Sequence, residues 1–101
     1  HIDFPDYTIG ELIAIAHVML DKLSYQFAPA AERAFAEYVE LRMHQPQFAN
    51  ARSIRNALDR ARARQATRLF ERGGPVTRTQ LEQIDEPDIR KSRVFGAPPA
   101  G

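Results

Sequence analysis

The apolar positions of this chain fall into separate stretches, most of them with helical period. Ile9, Leu12, Ile13, Ile15, Ala16, Met19, Leu20 and Leu23 make a stripe broad enough to be buried against more than one neighbour. Thr8 and Glu11 at its head have the spacing of a capping box, so the pattern predicts a first helix from Ile9 to about Lys22, with Gly10 a small cost in its first turn. Tyr25, Gln26 and Phe27 connect it to a second helix starting near Pro29, whose missing N–H is harmless in a first turn. Ala31, Ala34, Phe35, Tyr38 and Val39 share one side of that helix, and the alanines permit close approach of a partner. Pro46 disfavours helical geometry at Gln45, so the element ends at His44-Gln-Pro-Gln47.

The longest periodic run follows. Ile54, Leu58, Ala61, Gln65 and Leu69 are spaced four, three, four and four, which places them within an arc of roughly 80° on a helix. From residue 51 onward strong helix formers dominate and neither proline nor glycine intervenes until Arg72-Gly-Gly-Pro75, where a glycine can take a left-handed terminal conformation and proline prevents resumption. Asn50 is the expected N-cap, its side chain accepting from an orphan N–H, and Phe48 the anchor at the joint. Thr77 and Gln80 can cap a short helical piece running through Leu81 and Ile84, or Val76 can make a brief extended contact. Asp85 and Pro87 open a second short piece that carries Ile89 inward. The expected fold is all-α: a small helical bundle of three main helices plus two short C-terminal helical segments. Residues 1–8 read as an incoming connection from a preceding domain, 9–95 as the helical domain with Phe95 as its last core contact, and 96–101 as a flexible tail.

Composition narrows the chemistry. Fourteen basic groups stand against thirteen acidic ones, a balance that gives no reason to expect nucleic acid as a partner, although the middle of the chain is basic and Glu82 to Asp88 is acidic. With no cysteine there is no disulfide, thiol chemistry or cysteine-ligated metal. No apolar run is long enough to span a bilayer and no secretory signal opens the chain, so the default expectation is an intracellular protein without a membrane partner. His1, His17 and His44 are not at ligand spacing, no Gly-rich phosphate loop or nucleophile elbow is present, and Asp59 and the acids near Asp85 read as salt-bridge and cap residues. The abrupt start at His1 suggests an excised domain, and the chain alone is a poor candidate for a complete active site.

The arginines of the long helix admit two readings. Arg55 and Asp59 are spaced as an i,i+4 pair, and Arg60, Arg62, Arg64 and Arg68 can simply keep a long surface helix in solution while their stems cover apolar area. Arg52 is different. It lies nearly opposite the seam in the first turn, where exposed backbone N–H groups and a guanidinium together make an anion-facing site.

The run from Phe48 through Asn50-Ala-Arg-Ser-Ile-Arg-Asn-Ala-Leu-Asp-Arg to Ala66 resembles the second-sensor region in the C-terminal helical lid of AAA+ ATPases. With Asp3-Phe-Pro-Asp-Tyr7 before it and Asp88-Ile-Arg-Lys-Ser-Arg-Val-Phe95 after it, the chain is most similar to the red-type Rubisco activases, although the central motif also occurs in related sporulation and type VII secretion ATPases. In that family a Gly-Asn-x-Arg pattern opens the sensor helix. Asn50 and Arg52 match it, while Ala49 stands where glycine is commoner. The resemblance implies that Arg52 reaches the terminal phosphates of ATP, bound with Mg²⁺ in a large N-terminal AAA+ domain outside this chain. Arg55 would support it or touch an adjoining subunit. It further implies a ring, as a hexamer, with Rubisco as the remodelled partner in the cytoplasm or a plastid stroma, and a fragment inactive by itself. Two other readings stay open: the lid of a different remodelling or secretion ATPase, and a free-standing helical interaction module.

Overall fold

A computed structural model describes residues 7–92 and 94. Five helices account for nearly all of the regular structure: α1 (Ile9–Lys22), α2 (Pro29–Met43), α3 (Ala51–Arg72), α4 (Arg78–Glu82) and α5 (Glu86–Arg90). The three long helices and two short C-terminal ones match the sequence expectation. Phe95, the lead-in before Tyr7 and the tail 96–101 lie outside the described residues.

Helices α2 and α3 bury the stripes that their spacing predicts, and α1 buries the centre of its own. Leu12, Ala16 and Leu20 of α1, Ala31, Ala34, Phe35, Tyr38 and Val39 of α2, and Ile54, Leu58, Ala61, Gln65 and Leu69 of α3 are all buried. The rest of the α1 stripe is only partly buried at Ile9, Ile13, Ile15 and Met19, and Leu23 is exposed. Thr8 and Glu11 do form a reciprocal capping box, the Thr8 N–H donating to Glu11 Oε1 at 2.8 Å and the Glu11 N–H to Thr8 Oγ1 at 3.1 Å. Phe35 anchors an aromatic line, nearly parallel to Tyr38 at 5.6 Å and tilted against Phe27 at 5.1 Å, with the His17 ring meeting Phe27 edge-on.

The C-terminal third departs from the expected pattern in one respect. Helix α4 stops at Glu82, so Ile84 is not helical: Gln83–Ile84 (β2) pairs in parallel with Gln26–Phe27 (β1), and the Ala28 N–H closes the pairing on Ile84 O at 2.9 Å. Two residues per strand suffice to tie the α1–α2 connection to the link between α4 and α5. Val76 belongs to no element, and Leu81 is about half exposed while Ile84 is fully buried.

Polar groups on α3 hold these late elements. The buried Gln65 side chain directs its Nε2 to the carbonyls of Gln80, Leu81 and Gln83 at 2.8–3.0 Å, answering acceptors left open where α4 ends. Arg68 forks onto the buried carboxylate of Asp88, both bonds at 3.0 Å, and Arg64 Nη1 donates to the Asp88 carbonyl at 3.0 Å. The fork holds the Arg68 guanidinium protonated more firmly than usual, outweighing the burial that opposes it. Arg64 and Arg68 are therefore docking residues for α5, a correction to their reading as solubilising charges. The Arg55–Asp59 pair is also absent: Asp59 meets Arg62, at 3.5 Å, while the Arg62 guanidinium lies 4.9 Å over the Tyr25 ring.

Candidate functional site

Helix α3 begins with an unusual turn. Asn50 has φ 46° and ψ −117°, the first central position of a type II′ turn, and the Arg52 N–H closes that turn on Ala49 O at 3.1 Å. Asn50 is at the N-cap position, but its side chain makes no capping bond, and its Oδ1 is buried without a partner among the described residues. The expected cap is replaced by a different device. Ser53, buried in the first turn, accepts the Ala49 N–H on its Oγ at 2.7 Å. The physical reason is geometric: with φ positive at Asn50, the chain enters the helix from a direction that brings the Ala49 amide, rather than an amide of the helix, against a hydroxyl.

Arg52 follows immediately. It is exposed, has no ion pair or side-chain hydrogen bond among the described residues, and stands on the face away from the buried seam, as its spacing predicts. The backbone amides of Ala51 and Ser53 likewise have no acceptor among the described residues. An exposed guanidinium thus sits beside open N–H groups at the positive end of a helix about 33 Å long. That arrangement suits an oxyanion delivered from outside the chain. It supplies no nucleophile, general base or metal ligand, and no cluster of three or more histidines and carboxylates that could hold a metal occurs among the described residues.

Arg55 is also exposed and unpaired among the described residues, but it occupies different surroundings. It lines a groove of about 400 Å³ between α1 and α3 with Met19, Lys22, Leu23 and Asp59. Arg52 does not line that groove, so the two candidate arginines share a helix end without sharing a pocket.

Spacing along one helix could not reveal a second concentration of positive charge. Arg42 from the end of α2 and Arg60 and Arg64 from α3 line a polar cleft of about 450 Å³ with Tyr38, Gln45 and Ser92. Arg42 is held by the Pro46 carbonyl at 3.2 Å and lies 5.6 Å over the Phe48 ring, which gives Phe48 its role at the joint. Burial pushes the Tyr38 phenol above its usual range, and the charges of Arg42, Arg60 and Arg64 pull against that shift. The i,i+4 relation of Arg60 and Arg64 was legible in sequence; the approach of Arg42 was not, because it depends on how α1 and α5, which contact both α2 and α3, set those two helices side by side.

A family model described as AAA lid domain matches residues 8–94. The chain is 59% identical over 95 residues to Protein CfxQ of Xanthobacter flavus, covering 94% of this chain and 30% of that protein. It is 58% identical over 96 residues to Protein CbbX of Cereibacter sphaeroides, covering 94% and 31%. Against the chloroplastic ribulose bisphosphate carboxylase/oxygenase activase of Cyanidioschyzon merolae it is 53% identical over 96 residues, covering 94% and 33%. The chain therefore spans about a third of the length of these relatives. No helix among the described residues is long and apolar enough to cross a membrane.

Proposed function

The chain belongs to the AAA lid domain family, and on that premise we propose that it is the nucleotide-sensing lid of a Rubisco-activating AAA+ ATPase. In this reading Arg52 faces the terminal phosphates of ATP held with Mg²⁺ in an adjoining ATPase domain. The observation that carries it is the uncompensated guanidinium opposite the packed seam, beside the open amides of Ala51 and Ser53. A rigid α3, held along its length by Ile54, Leu58, Ala61 and Leu69, converts a force on its first turn into rotation of the whole lid. The ATPase domain would supply the phosphate loop, the metal carboxylate and the group that orients water, while Arg52 offsets negative charge on the phosphoryl oxygens as it develops.

Arg55 acts at the same helix end, through the α1–α3 groove, on the ATPase domain or on a neighbouring subunit of a hexameric ring. The C. merolae relative is named as an activase of ribulose bisphosphate carboxylase/oxygenase, which supports Rubisco as the remodelled enzyme; in this reading the result of remodelling is release of an inhibitory sugar phosphate. A cytoplasmic or plastid-stromal setting accompanies that role.

The test uses the full-length protein. Arg52→Ala should lower ATP turnover roughly tenfold or more, the loss of one hydrogen bond to a charged group, and should slow reactivation of inhibited Rubisco in proportion. The control is Arg33→Ala, an exposed arginine of α2 with no ion pair among the described residues. Equal ATP kinetics for both variants would remove Arg52 from the nucleotide site.

A further inference from the structure

The turn that precedes Arg52 takes a backbone conformation that is strained for any residue but glycine. An L residue rarely adopts the Asn50 combination of φ 46° and ψ −117°, which glycine takes freely. Its side chain does not repay the strain, since Oδ1 is buried without a partner among the described residues and caps nothing. The apolar seam of α3 begins only after it, at Ile54. What the turn does fix is the start of α3. The Arg52 N–H binds Ala49 O at 3.1 Å, the Ile54 N–H binds Asn50 O at 3.0 Å, and the Ala49 N–H binds Ser53 Oγ at 2.7 Å. These bonds bracket residue 52 from both sides, at a position where helix ends ordinarily fray.

We propose that Asn50 and Ser53 are positioning residues for Arg52: the type II′ turn and the buried hydroxyl together fix the direction from which the guanidinium leaves α3. The inference rests on Arg52 as the phosphate sensor and adds the part that aims it. A long flexible side chain on a fraying turn samples positions several ångströms apart, and a contact misplaced by about 1 Å can lose most of its effect on a reaction. Clamping the backbone at residues 49–53 leaves only the side-chain torsions of Arg52 to be ordered.

Four variants of the full-length ATPase test this, each with a thermal melt to establish that it is folded at the assay temperature. Asn50→Val places a β-branched residue where φ must be positive, and Ser53→Ala removes the acceptor of the Ala49 N–H. Each should lower kcat/KM for ATP at least about threefold. Asn50→Gly and Ser53→Thr keep the turn and the hydroxyl and should retain wild-type kinetics, a rescue that mere loss of stability would not produce. In the background of Arg52→Ala, adding Asn50→Val or Ser53→Ala should cost nothing further, because there is no guanidinium left to aim. Wild-type kinetics in folded Ser53→Ala overturns the inference, as do losses that multiply with that of Arg52→Ala; Ser53→Ala decides alone if Asn50→Val does not fold. If Arg52→Ala impairs turnover and the turn variants do not, only the positioning role fails. If Arg52→Ala has no effect, the sensor role fails and the positioning role with it.

Discussion

Tyr38 shows how one side chain integrates several elements. Its ring stacks on Phe35 while its hydroxyl reaches the cleft of Arg42, Arg60 and Arg64, so burial raises its pKa and three cations oppose the rise. The net shift is upward, so the folded state holds the phenolic proton more tightly than the unfolded chain does. The stability this contributes is complete below the unfolded value of about 10 and is lost as pH rises through the folded one. Phenolate absorbance followed against pH should show a late-titrating step that Tyr38→Phe removes, and the variant should lose less of its thermal stability between pH 9 and 11. A profile unchanged by the substitution would place the phenol in ordinary solvent. At the same scale, Gln65 was legible only as an odd member of an apolar seam; its three carbonyl partners lie 15 to 18 residues away.

Among the elements, α5 depends most on partners outside itself. It is five residues long, too short to be stable alone, and it is held by Ile89 in the core and by the fork of Arg68 onto Asp88. Its own first turn contributes, since the Asp85 N–H donates to Asp88 Oδ2 at 2.9 Å. Arg90, which donates to Glu37 and Glu86, lies at the surface and adds little, although its bonds to Glu37 hold that carboxyl below its usual range. Asp88→Ala should therefore destabilise the chain by about 3 kcal/mol, near the lower end for breaking a buried pair because Arg68 keeps a quarter of its side chain in water. Chemical denaturation measures it, and a change under about 0.5 kcal/mol would mean that water replaces the fork without loss. The end of α3 is set locally instead: Gly73, at φ 69° and ψ 179°, occupies a region almost confined to glycine, so the stop was visible in sequence.

In the molecule as a whole, three long helices share one core that the C-terminal elements close. Leu12, Phe35 and Leu58 come from three different helices, and Ile84 and Ile89 complete the same cluster from β2 and α5. A shared core should melt as one unit. Leu58→Ala, at a position 2% exposed, should lower stability by about 2–5 kcal/mol and shift a single transition seen alike by circular dichroism and tyrosine fluorescence. Separate transitions by the two probes would divide the bundle into independent parts.

The sequence by itself determined the helices, their inward faces, the Thr8–Glu11 cap, the Arg72-Gly-Gly-Pro75 stop and the exposure of Arg52. These follow from spacing within a few turns or from residues with narrow backbone preferences. Only the tertiary structure decided which arginines are structural, because Arg64 and Arg68 find Asp88 24 and 20 residues away, a partner that spacing along α3 cannot name. It also decided the two-residue parallel pairing, the meeting of Arg42 with Arg60 and Arg64, and the turn at Asn50, where the expected side-chain cap gives way to a hydroxyl from Ser53. The division has one physical cause: periodicity reports which side of a helix leaves water, whereas the partner of a polar group depends on how that helix is packed against the others.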